Sequence, residues 1–511
     1  MTKPYIDKLM KAFTKHADEE NEVTVDGLAN VLDEVGIKNS TKQIEHLFRL
    51  IDTDKDVNVS KAEFAKYLET YNEKKSLGAN ILSINNSRGK KLQIFKEILE
   101  VKLTLTDHDY FLKEECNYTT IMNSDYAALT RWEQLLAELK DGERYFDVEF
   151  GPKDKDDERG SKMALYSNGE APPGYIKPEQ IEWLTPKEIC GHDNYKFTDE
   201  EASSNEVIQG ALGDCWFIGA LSVLASRDEL LIGGLDQYRS LKGVDITPSI
   251  AKSMTLGVFP PIFQAYAKRG LYVFKFFKNF GWRYVIIDDR LPCYKSNRTP
   301  VFGRCKSNDE LWVPLIEKAY AKLHCCYESL VSGFIDDALT DLTGFVAEKI
   351  NLHDKRGVFP NKKLGTKDEF WDYLTSRRKE QSMLGCARKD ETVEGEVIID
   401  GERTGILSRH AYGLLDVFEI KGNQSQELFR LLRVRNPWGK TEWVGDWSDT
   451  SDEIEKYQEE LNQYIDNLEK DEKFGLGDED GTFLISYDDW SNIYNKLYVT
   501  IDFPQDWSGI R

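Results

Sequence analysis

A single cysteine at the start of an apolar segment constrains this chain more than any other feature. Residues 209–217 read Gln-Gly-Ala-Leu-Gly-Asp-Cys-Trp-Phe, and an apolar run typical of a helix continues to Ala225. This pattern places Cys215 in the first turn of a helix, where the helix dipole and the backbone N–H groups favour a thiolate. A thiolate is nucleophilic, so Cys215 is a candidate catalytic nucleophile. The alternative is that Cys215 is a small buried apolar residue that only packs.

Composition limits the class of protein. The chain has 511 residues, of which 40% are hydrophobic, and its 11 Trp, 24 Tyr and 25 Phe can fill large cores. A net charge of −22 argues against a nucleic-acid partner. The 8 cysteines lack paired spacing, and no stretch resembles a secretory signal or a transmembrane helix. We therefore expect a cytoplasmic protein in a reducing environment, and recruitment to a membrane surface stays undecided.

Amphipathic helical patterns fill residues 1–71, and a loop rich in carboxylates lies between the last two of them. From Asp52 to Glu63 the loop has the spacing of a calcium-binding EF-hand. Its candidate ligands are Asp52, Asp54, Asp56, Asn58 and Glu63. Val57 stands where such a loop needs glycine, so the alternative is a helix pair that keeps the shape without the ion.

A second loop in the same region is predicted to be structural. It starts near Asp18 and has Ala29 where the last carboxylate ligand belongs. We expect it to pair with the calcium loop through a short β-bridge between Val25 and Val59. The two loops and their flanking helices then form one EF-hand pair.

Two later segments supply what a nucleophilic cysteine needs. His410 precedes a predicted strand, and Asn436 directly follows another, Leu-Leu-Arg-Val-Arg. A catalytic cysteine requires a base, here His410, and a group that orients the base, here Asn436. Cysteine first, then histidine and asparagine in a second lobe, is the chain order of papain-like proteases. The alternative for Asn436 is a turn residue before proline.

Taken together, these motifs resemble the protease core of the calpains. The resemblance is carried by residues 209–217, by His410-Ala411-Tyr412, and by Asn436-Pro437-Trp438-Gly439 followed by Glu442-Trp443. It implies that Cys215 attacks the scissile carbonyl, that His410 transfers the proton and that Asn436 holds the imidazole. It also implies that the Gln209 amide and the Cys215 N–H stabilise the oxyanion. Trp438 is implied to shield the His–Asn pair and to gate the cleft; its alternative is core packing.

The predicted fold class is α+β, a two-lobed papain-like calpain protease core preceded by an all-α EF-hand pair. The expected domains are an EF-hand pair at 1–75, a linker and helical region at 76–141, a first lobe with Cys215 at 142–345, a second lobe with His410 and Asn436 at 346–505, and a tail at 506–511. Within the second lobe, the apolar spacing over 454–468 predicts a helical segment longer than the family resemblance leads us to expect.

The resemblance also implies one calcium site in each lobe, since carboxylate oxygens are ligands suited to Ca²⁺. The implied ligands are Glu206 and Glu328 in the first lobe, and Glu442, Asp449 and Asp480 in the second. Two departures from the family pattern bear on function. Thr482 stands where the family has a glutamate, which removes a charge from the second site, and Arg409 replaces the glycine before the catalytic histidine.

The predicted function is a calcium-dependent cysteine endopeptidase that makes limited cleavages in intracellular proteins, with Ca²⁺ as cofactor and proteins as substrates. The alternative is a calcium-binding adaptor whose calpain-like core is weakly active or inactive, for which Arg409 and Thr482 argue. Acyl transfer of the transglutaminase type also uses a Cys–His pair. Asn436 argues against it, because that family orients its histidine with aspartate.

Overall fold

The protein is described here from a computed structural model. The residues that it describes are 3–18, 21–34, 48, 51, 58–66, 68, 118–152, 163–198, 202–232, 257–279, 281–354, 356–389, 395–399, 401–423, 425–468, 473–477 and 479–501. They belong to two compact units. One unit comprises Met1–Leu112 with Gln505–Arg511, and the other comprises Lys113–Pro504.

The N-terminal unit has a small helical core. Its named elements are the helices α1 (Lys3–His16) and α2 (Val25–Glu34) and the strands β1 (Glu22–Val23) and β2 (Val59–Ser60). Apolar residues of the predicted amphipathic patterns are buried together, among them Leu9, Phe13, Leu28, Val31, Leu32, Phe48, Ile51, Phe64 and Leu68. Because they come from four segments, burial of these residues holds the segments in one core.

The predicted β-bridge differs from the observed one. Val59 pairs with Val23, not with Val25, and Val25 instead opens α2. A shift of two residues keeps the same side-chain face, so apolar spacing alone could not separate the two registers. Through this pairing, the loop equivalent to Asp52–Glu63 runs from His16 to Gly27. Its last position is then Gly27 rather than Ala29, and neither residue supplies a carboxylate.

The larger unit mixes helices and antiparallel sheets, as an α+β fold requires. Its helices are α3 (Asp125–Glu138), α4 (Pro186–Cys190), α5 (Cys215–Leu224), α6 (Asp228–Leu231), α7 (Trp312–Leu323), α8 (Ile335–Thr343), α9 (Lys367–Lys379), α10 (Asp452–Lys456), α11 (Gln458–Asp466) and α12 (Tyr487–Ile493). Short 3₁₀ helices cover Pro178–Gln180, Ser204–Glu206, Pro261–Arg269, Tyr327–Leu330 and Lys362–Leu364.

The strands of this unit are β3 (Ile121–Met122), β4 (Ile181–Leu184), β5 (Val207–Ile208), β6 (Leu271–Lys278), β7 (Gly281–Asp288), β8 (Leu291–Tyr294), β9 (Arg304–Cys305), β10 (Val346–Asn351), β11 (Leu384–Ala387), β12 (Gly395–Ile399), β13 (Glu402–Ser408), β14 (Ala411–Lys421), β15 (Leu428–Arg435), β16 (Thr482–Ser486) and β17 (Lys496–Ile501). Strands β6 and β7 pair as a hairpin.

The first lobe is built around α5. From Trp216 to Leu224 every side chain of this helix is buried, as expected for a helix that is apolar on all faces. The Phe217 ring stacks on Tyr320 of α7 at a centroid distance of 4.0 Å. Helix α3, placed by the sequence in the linker region, also buries Ala128, Trp132 and Leu135 in this core. Because these residues belong to the first-lobe core, the packed lobe begins before residue 142.

The second lobe is a six-stranded sheet in the order β10-β17-β11-β14-β15-β16. All neighbouring strands in it are antiparallel. The predicted helical segment over 454–468 forms α10 and α11, which meet at Tyr457. Ile454, Tyr457, Leu461 and Ile465 cover Phe418 and Leu431 of the sheet.

No helix in the described part of the chain combines the length and the apolar character that crossing a bilayer requires.

Candidate active site

Cys215 is the first residue of α5, as predicted. Asp214 precedes it at the N-cap position, and its carbonyl accepts the N–H groups of Phe217 and Ile218 at 2.8 and 3.0 Å. Cys215 is half-buried, whereas the next nine residues of the helix are buried. The thiol therefore stands where the core meets the surface, at the positive end of a helix.

His410 and Asn436 are in contact. His410 Nε2 and Asn436 Oδ1 lie 2.8 Å apart, and both residues are buried. The two residues directly flank paired strands: His410 precedes β14, and Asn436 follows β15. The antiparallel pairing of these strands brings residues 26 positions apart into hydrogen-bond distance.

The contacts of Asn436 determine the tautomer of His410. Asn436 Nδ2 donates to the carbonyls of Lys440 and Thr441, each at 2.8 Å. Both N–H groups of the amide are thereby used, so the atom that faces the ring is an acceptor. His410 Nε2 must then carry the hydrogen, and Nδ1 is the ring nitrogen that can take up a proton.

An indole and a phenol ring enclose the imidazole. The Trp438 ring centroid lies 4.9 Å from that of His410, and the Tyr412 centroid lies at 5.0 Å. The backbone N–H of Trp438 also donates to Asn436 Oδ1 at 3.0 Å. Trp438 is half-buried and packs against His410, and its shielding role stays a prediction.

Close contact between α5 and β14 brings Cys215 and His410 to the same edge. A Cβ on Gly219 would lie 3.7 Å from the Ala411 carbonyl, and a Cβ on Gly413 would meet Ser222 Oγ at 2.9 Å. Cys215 lies one helical turn before Gly219, on the same face of α5. Since His410 directly precedes Ala411, the thiol-bearing end of α5 faces the imidazole end of β14.

Gln209 spans the two lobes. Its backbone N–H donates to the Pro437 carbonyl at 2.8 Å, and its side-chain Nε2 donates to the Leu212 carbonyl at 2.6 Å. An amide nitrogen has two N–H donors, so one is still available to a ligand. The Gln209 side chain is thus held between the Cys215 segment and the Asn436 segment.

Arg435 is a residue that sequence reasoning missed. Its guanidinium is fully buried. Nη2 donates to the carbonyls of Asn205 and Val207 in the first lobe, at 3.1 and 2.9 Å. Nη1 donates in the second lobe to Thr482 Oγ1, at 2.8 Å. Burial lowers the pKa of Arg435 to about 10. The signal that could have found it is an arginine in a strand directly before a candidate catalytic residue.

The first-lobe calcium candidates are used in separate hydrogen bonds. Glu206 Oε2 accepts the Ser307 N–H at 2.8 Å. Glu328 Oε2 accepts the N–H and the hydroxyl of Ser167, at 2.8 and 2.7 Å. Each carboxylate therefore has its own donors, and the predicted role of this pair in calcium binding stays a prediction.

The second-lobe candidates interact with one another. Glu442 Oε1 accepts the Gly481 N–H at 2.6 Å, and Glu442 also hydrogen-bonds Asp449. Burial, with a contribution from the Asp480 carboxylate, raises the pKa of Glu442. Crowded carboxyl groups of this kind are sites where a cation can replace a shared proton. Within the described ranges, no three or more His, Cys, Asp or Glu side chains converge on a common metal position.

The EF-hand candidates lie partly outside the described residues. Asp52, Asp54 and Asp56 are among those not described, so their predicted role stays a prediction. Glu63 Oε2 accepts the N–H and the hydroxyl of Ser60, at 3.0 and 2.9 Å. Ser60 Oγ in turn accepts the Glu63 N–H, which makes a capping box at the start of the following helix.

Comparison with known proteins agrees with this geometry. The family described as calpain family cysteine protease matches residues 159–501. The calpain-type cysteine protease DEK1 of Arabidopsis thaliana is 30% identical over 371 residues, which cover 71% of this chain and 14% of that protein. Calpain-14 of Homo sapiens is 32% identical over 280 residues, covering 54% of this chain and 34% of that protein.

A third relative shows the same partial overlap. The calpain-2 catalytic subunit of Bos taurus is 29% identical over 330 residues, which cover 65% of this chain and 40% of that protein. This chain thus spans well under half the length of these three relatives. The family match itself covers most of the chain and includes Cys215, His410 and Asn436. This chain belongs to the calpain family of cysteine proteases.

Proposed function

We propose that this protein is a calcium-dependent cysteine endopeptidase that makes limited cleavages in intracellular proteins. The observation that carries the proposal is the 2.8 Å contact between His410 Nε2 and Asn436 Oδ1, at the edge faced by the Cys215 end of α5. This arrangement supplies a nucleophile, a base and an orienting group. All seven described cysteines are free thiols, which supports a reducing, cytoplasmic setting.

In the proposed mechanism His410 Nδ1 takes the proton of the Cys215 thiol. The thiolate attacks the scissile carbonyl carbon and forms a tetrahedral intermediate. The second Nε2 hydrogen of Gln209 and the Cys215 N–H stabilise its oxyanion. The imidazolium then donates its proton to the leaving amine, the C–N bond breaks, and a thioester remains. Water, deprotonated by His410, hydrolyses the thioester and restores the thiol.

Asn436 and Trp438 keep the base ready for both proton transfers. The amide oxygen of Asn436 holds the Nε2 hydrogen, so that Nδ1 stays the reactive nitrogen during the cycle. The Trp438 ring covers this hydrogen bond, and exclusion of water strengthens it. Tyr412 contacts the other side of the imidazole and limits its rotation.

The calcium requirement is proposed for the second lobe and for the N-terminal loop. Glu442, Asp449 and Asp480 would hold Ca²⁺ in the lobe, and Asp52, Asp54, Asp56, Asn58 and Glu63 would hold it in the loop. The bound ion supplies positive charge that offsets the repulsion among these carboxylates. With the first-lobe carboxylates bonded to serines, we expect Glu206 and Glu328 to contribute less to the requirement.

Casein cleavage tests the proposal. We expect the wild-type chain to cleave casein in Ca²⁺, Cys215→Ser to lose cleavage, and chelation of Ca²⁺ to suppress cleavage by the wild type. Equal cleavage by the wild type and Cys215→Ser would remove the protease assignment. Full activity in chelator would remove only the calcium requirement. Asp480→Asn and Glu63→Gln, made separately, then show which site sets that requirement.

A calcium-binding adaptor is the second candidate, and one observation favours it. Arg409 has a φ of 54°, in the left-handed region that a side chain strains, and it directly precedes His410. Arg409 is exposed, and its backbone N–H donates to the Arg388 carbonyl at 2.7 Å. The adaptor assignment predicts Ca²⁺-dependent binding of proteins without Cys215-dependent cleavage. If the arginine obstructs the cleft, Arg409→Gly should raise the rate of substrate cleavage.

A further inference from the structure

Three lysines gather beside the proposed nucleophile, in a chain that is otherwise acidic. Lys389 Nζ lies 3.9 Å from the centroid of the Phe334 ring, and Lys349 Nζ lies 4.1 Å from the same centroid. Lys389 Nζ is also 5.9 Å from the Tyr498 ring. Lys496 belongs to the same strand as Tyr498, two residues away, and acts on Lys389 electrostatically. The chain as a whole has a net charge of −22, whereas here three lysines stand against two aspartates, Asp336 beside Lys389 and Asp337 beside Lys349.

The backbone ties this cluster to the catalytic elements. Lys389 follows β11 by two residues, and Ala387 at the end of β11 pairs with Ala411, the neighbour of His410. The Lys389 N–H donates to Asn495 Oδ1 at 3.0 Å, which fixes the segment to the start of β17. Phe334 lies at the N-cap of α8. The lysines therefore stand on rigid elements, where a substrate held against His410 would meet them.

The electrostatic contacts of Lys389 reach the thiol. Burial, reinforced by Lys349, lowers the pKa of Lys389 to about 8, while Asp336 and Cys215 act in the opposite direction. Both ammonium groups lie close to the Phe334 ring centroid, so Lys349 Nζ and Lys389 Nζ are at most about 8 Å apart. Like charges at this separation repel each other. Among the described residues, no carboxylate lies within salt-bridge distance of Lys389 or Lys349.

We propose that Lys389 and Lys349, over the ring of Phe334, form a subsite for an acidic side chain of the substrate, close to the bond that Cys215 attacks. A carboxylate bound there relieves the repulsion between the two ammonium groups. The aliphatic part of an aspartate or glutamate packs on the Phe334 and Tyr498 rings. Asp336 acts on Lys389 and Asp337 acts on Lys349, and both compete with the substrate carboxylate, which limits the affinity gained from it. This inference rests on the proposed protease function.

The test uses pairs of fluorogenic peptides that differ only by Glu against Gln, placed at one position at a time on either side of the cleaved bond. We expect kcat/KM to be roughly fivefold higher for Glu at one or two adjacent positions, a size typical of partly exposed charge pairs. The double variant Lys349→Met/Lys389→Met should bring that ratio close to one. Lys187→Met, an exposed lysine on α4, is the matched control and should keep the ratio.

A binding measurement separates failure of the subsite from failure of the protease function. The Cys215→Ala chain is titrated with the same labelled peptides, and fluorescence anisotropy reports affinity without cleavage. Tighter binding of the Glu peptide, lost in the Lys349/Lys389 double variant, supports the subsite even if no cleavage is detected. Equal affinity for Glu and Gln peptides at every position, or a preference for Gln, overturns it. If the Gln peptides are still cleaved in that case, the subsite proposal fails and the proposed protease function stands.

Discussion

At the scale of single residues, Asn436 does more than touch His410. Both amide hydrogens are used on the Lys440 and Thr441 carbonyls, so the side chain cannot turn over without losing two hydrogen bonds. This determines which nitrogen of His410 serves as the base. The sequence pattern predicted the pairing of the two residues. It did not predict the tautomer, because that depends on carbonyls in the turn that follows Asn436.

Asn436→Ala tests the orienting role. Without the amide, His410 can adopt the other tautomer and other ring orientations, so we expect kcat to fall by about 10²-fold, with a smaller change in KM. Stopped-assay kinetics on one fluorogenic peptide provide the measurement. Asn492→Ala, at an exposed asparagine, is the control and should keep wild-type kinetics. An Asn436→Ala chain with wild-type kcat would contradict the assigned role.

Lys389 gives a prediction for pH. A lysine whose pKa is lowered to about 8 is charged below that pH and neutral above it. The preference for Glu over Gln peptides should therefore be largest near neutral pH and decline as pH rises through 8 towards 9. Anisotropy with the Cys215→Ala chain measures it without interference from the thiol. A preference that is constant over this range would show that Lys389 is not the group responsible. The groups that act on Lys389 are Lys349, Lys496, Asp336 and Cys215, and Tyr498 lies nearby.

At the scale of elements, the contact between α5 and β14 positions the site. Sequence reasoning identified α5, β14 and β15 because each has a clear apolar period or run. It could not find the small-residue contact at Gly219 and Gly413, since a lone glycine in a helix or strand has several explanations. It also assigned α3 to a linker, because a charged amphipathic helix does not reveal which core its apolar face joins.

Helix α7 supports the start of α5 through a buried acid. Both carboxyl oxygens of Glu317 accept the Gly303 N–H, at 2.9 and 3.0 Å. Burial, and then the neighbouring Asp214 at the N-cap of α5, raises the pKa of Glu317 well above its ordinary value of 4.5. Burial and the nearby Asp214 therefore favour the protonated form of the Glu317 carboxyl, which sits behind the nucleophile and takes no part in the proposed reaction.

Glu317→Gln tests this assignment. A group with a raised folded-state pKa stabilises the fold fully below its unfolded pKa and loses that contribution as pH rises through the folded value. From about pH 5 upward, the wild type should lose more unfolding free energy than Glu317→Gln, whose amide keeps the Gly303 contact without titrating. Urea unfolding at pH 5 and at pH 8 measures the difference. Parallel losses in the two proteins would show that Glu317 is ionised in the fold.

At the scale of the whole catalytic unit, Arg435 joins the two lobes. One buried guanidinium bonds first-lobe carbonyls at Asn205 and Val207 and the second-lobe hydroxyl of Thr482. Thr482 therefore has a clear structural role where the family pattern has a glutamate. Family resemblance predicted a weakened calcium site at this point. It could not predict that the threonine hydroxyl would take part in the contact between the lobes.

Arg435→Lys should weaken that contact. Lysine keeps the charge but lacks the planar fork that reaches both lobes, and it leaves buried carbonyls without donors. We expect the free energy of unfolding to fall by about 2 to 4 kcal/mol, measured by urea titration. Arg403→Lys, whose side chain is 81% exposed, is the control and should change stability by less than about 0.5 kcal/mol. An Arg435→Lys loss no larger than that of the control would contradict the bridging role.

The central claim is that Cys215 is a nucleophile activated by His410. A peptidyl vinyl sulfone, which reacts much faster with an activated thiolate than with an ordinary thiol, tests it directly when labelling is mapped by mass spectrometry in Ca²⁺. We predict one adduct per chain, on Cys215, and near-complete loss of labelling in His410→Ala. Cys190 and Cys325 are also partly exposed and serve as internal controls. Labelling distributed over the exposed cysteines, and unchanged in His410→Ala, would contradict the claim.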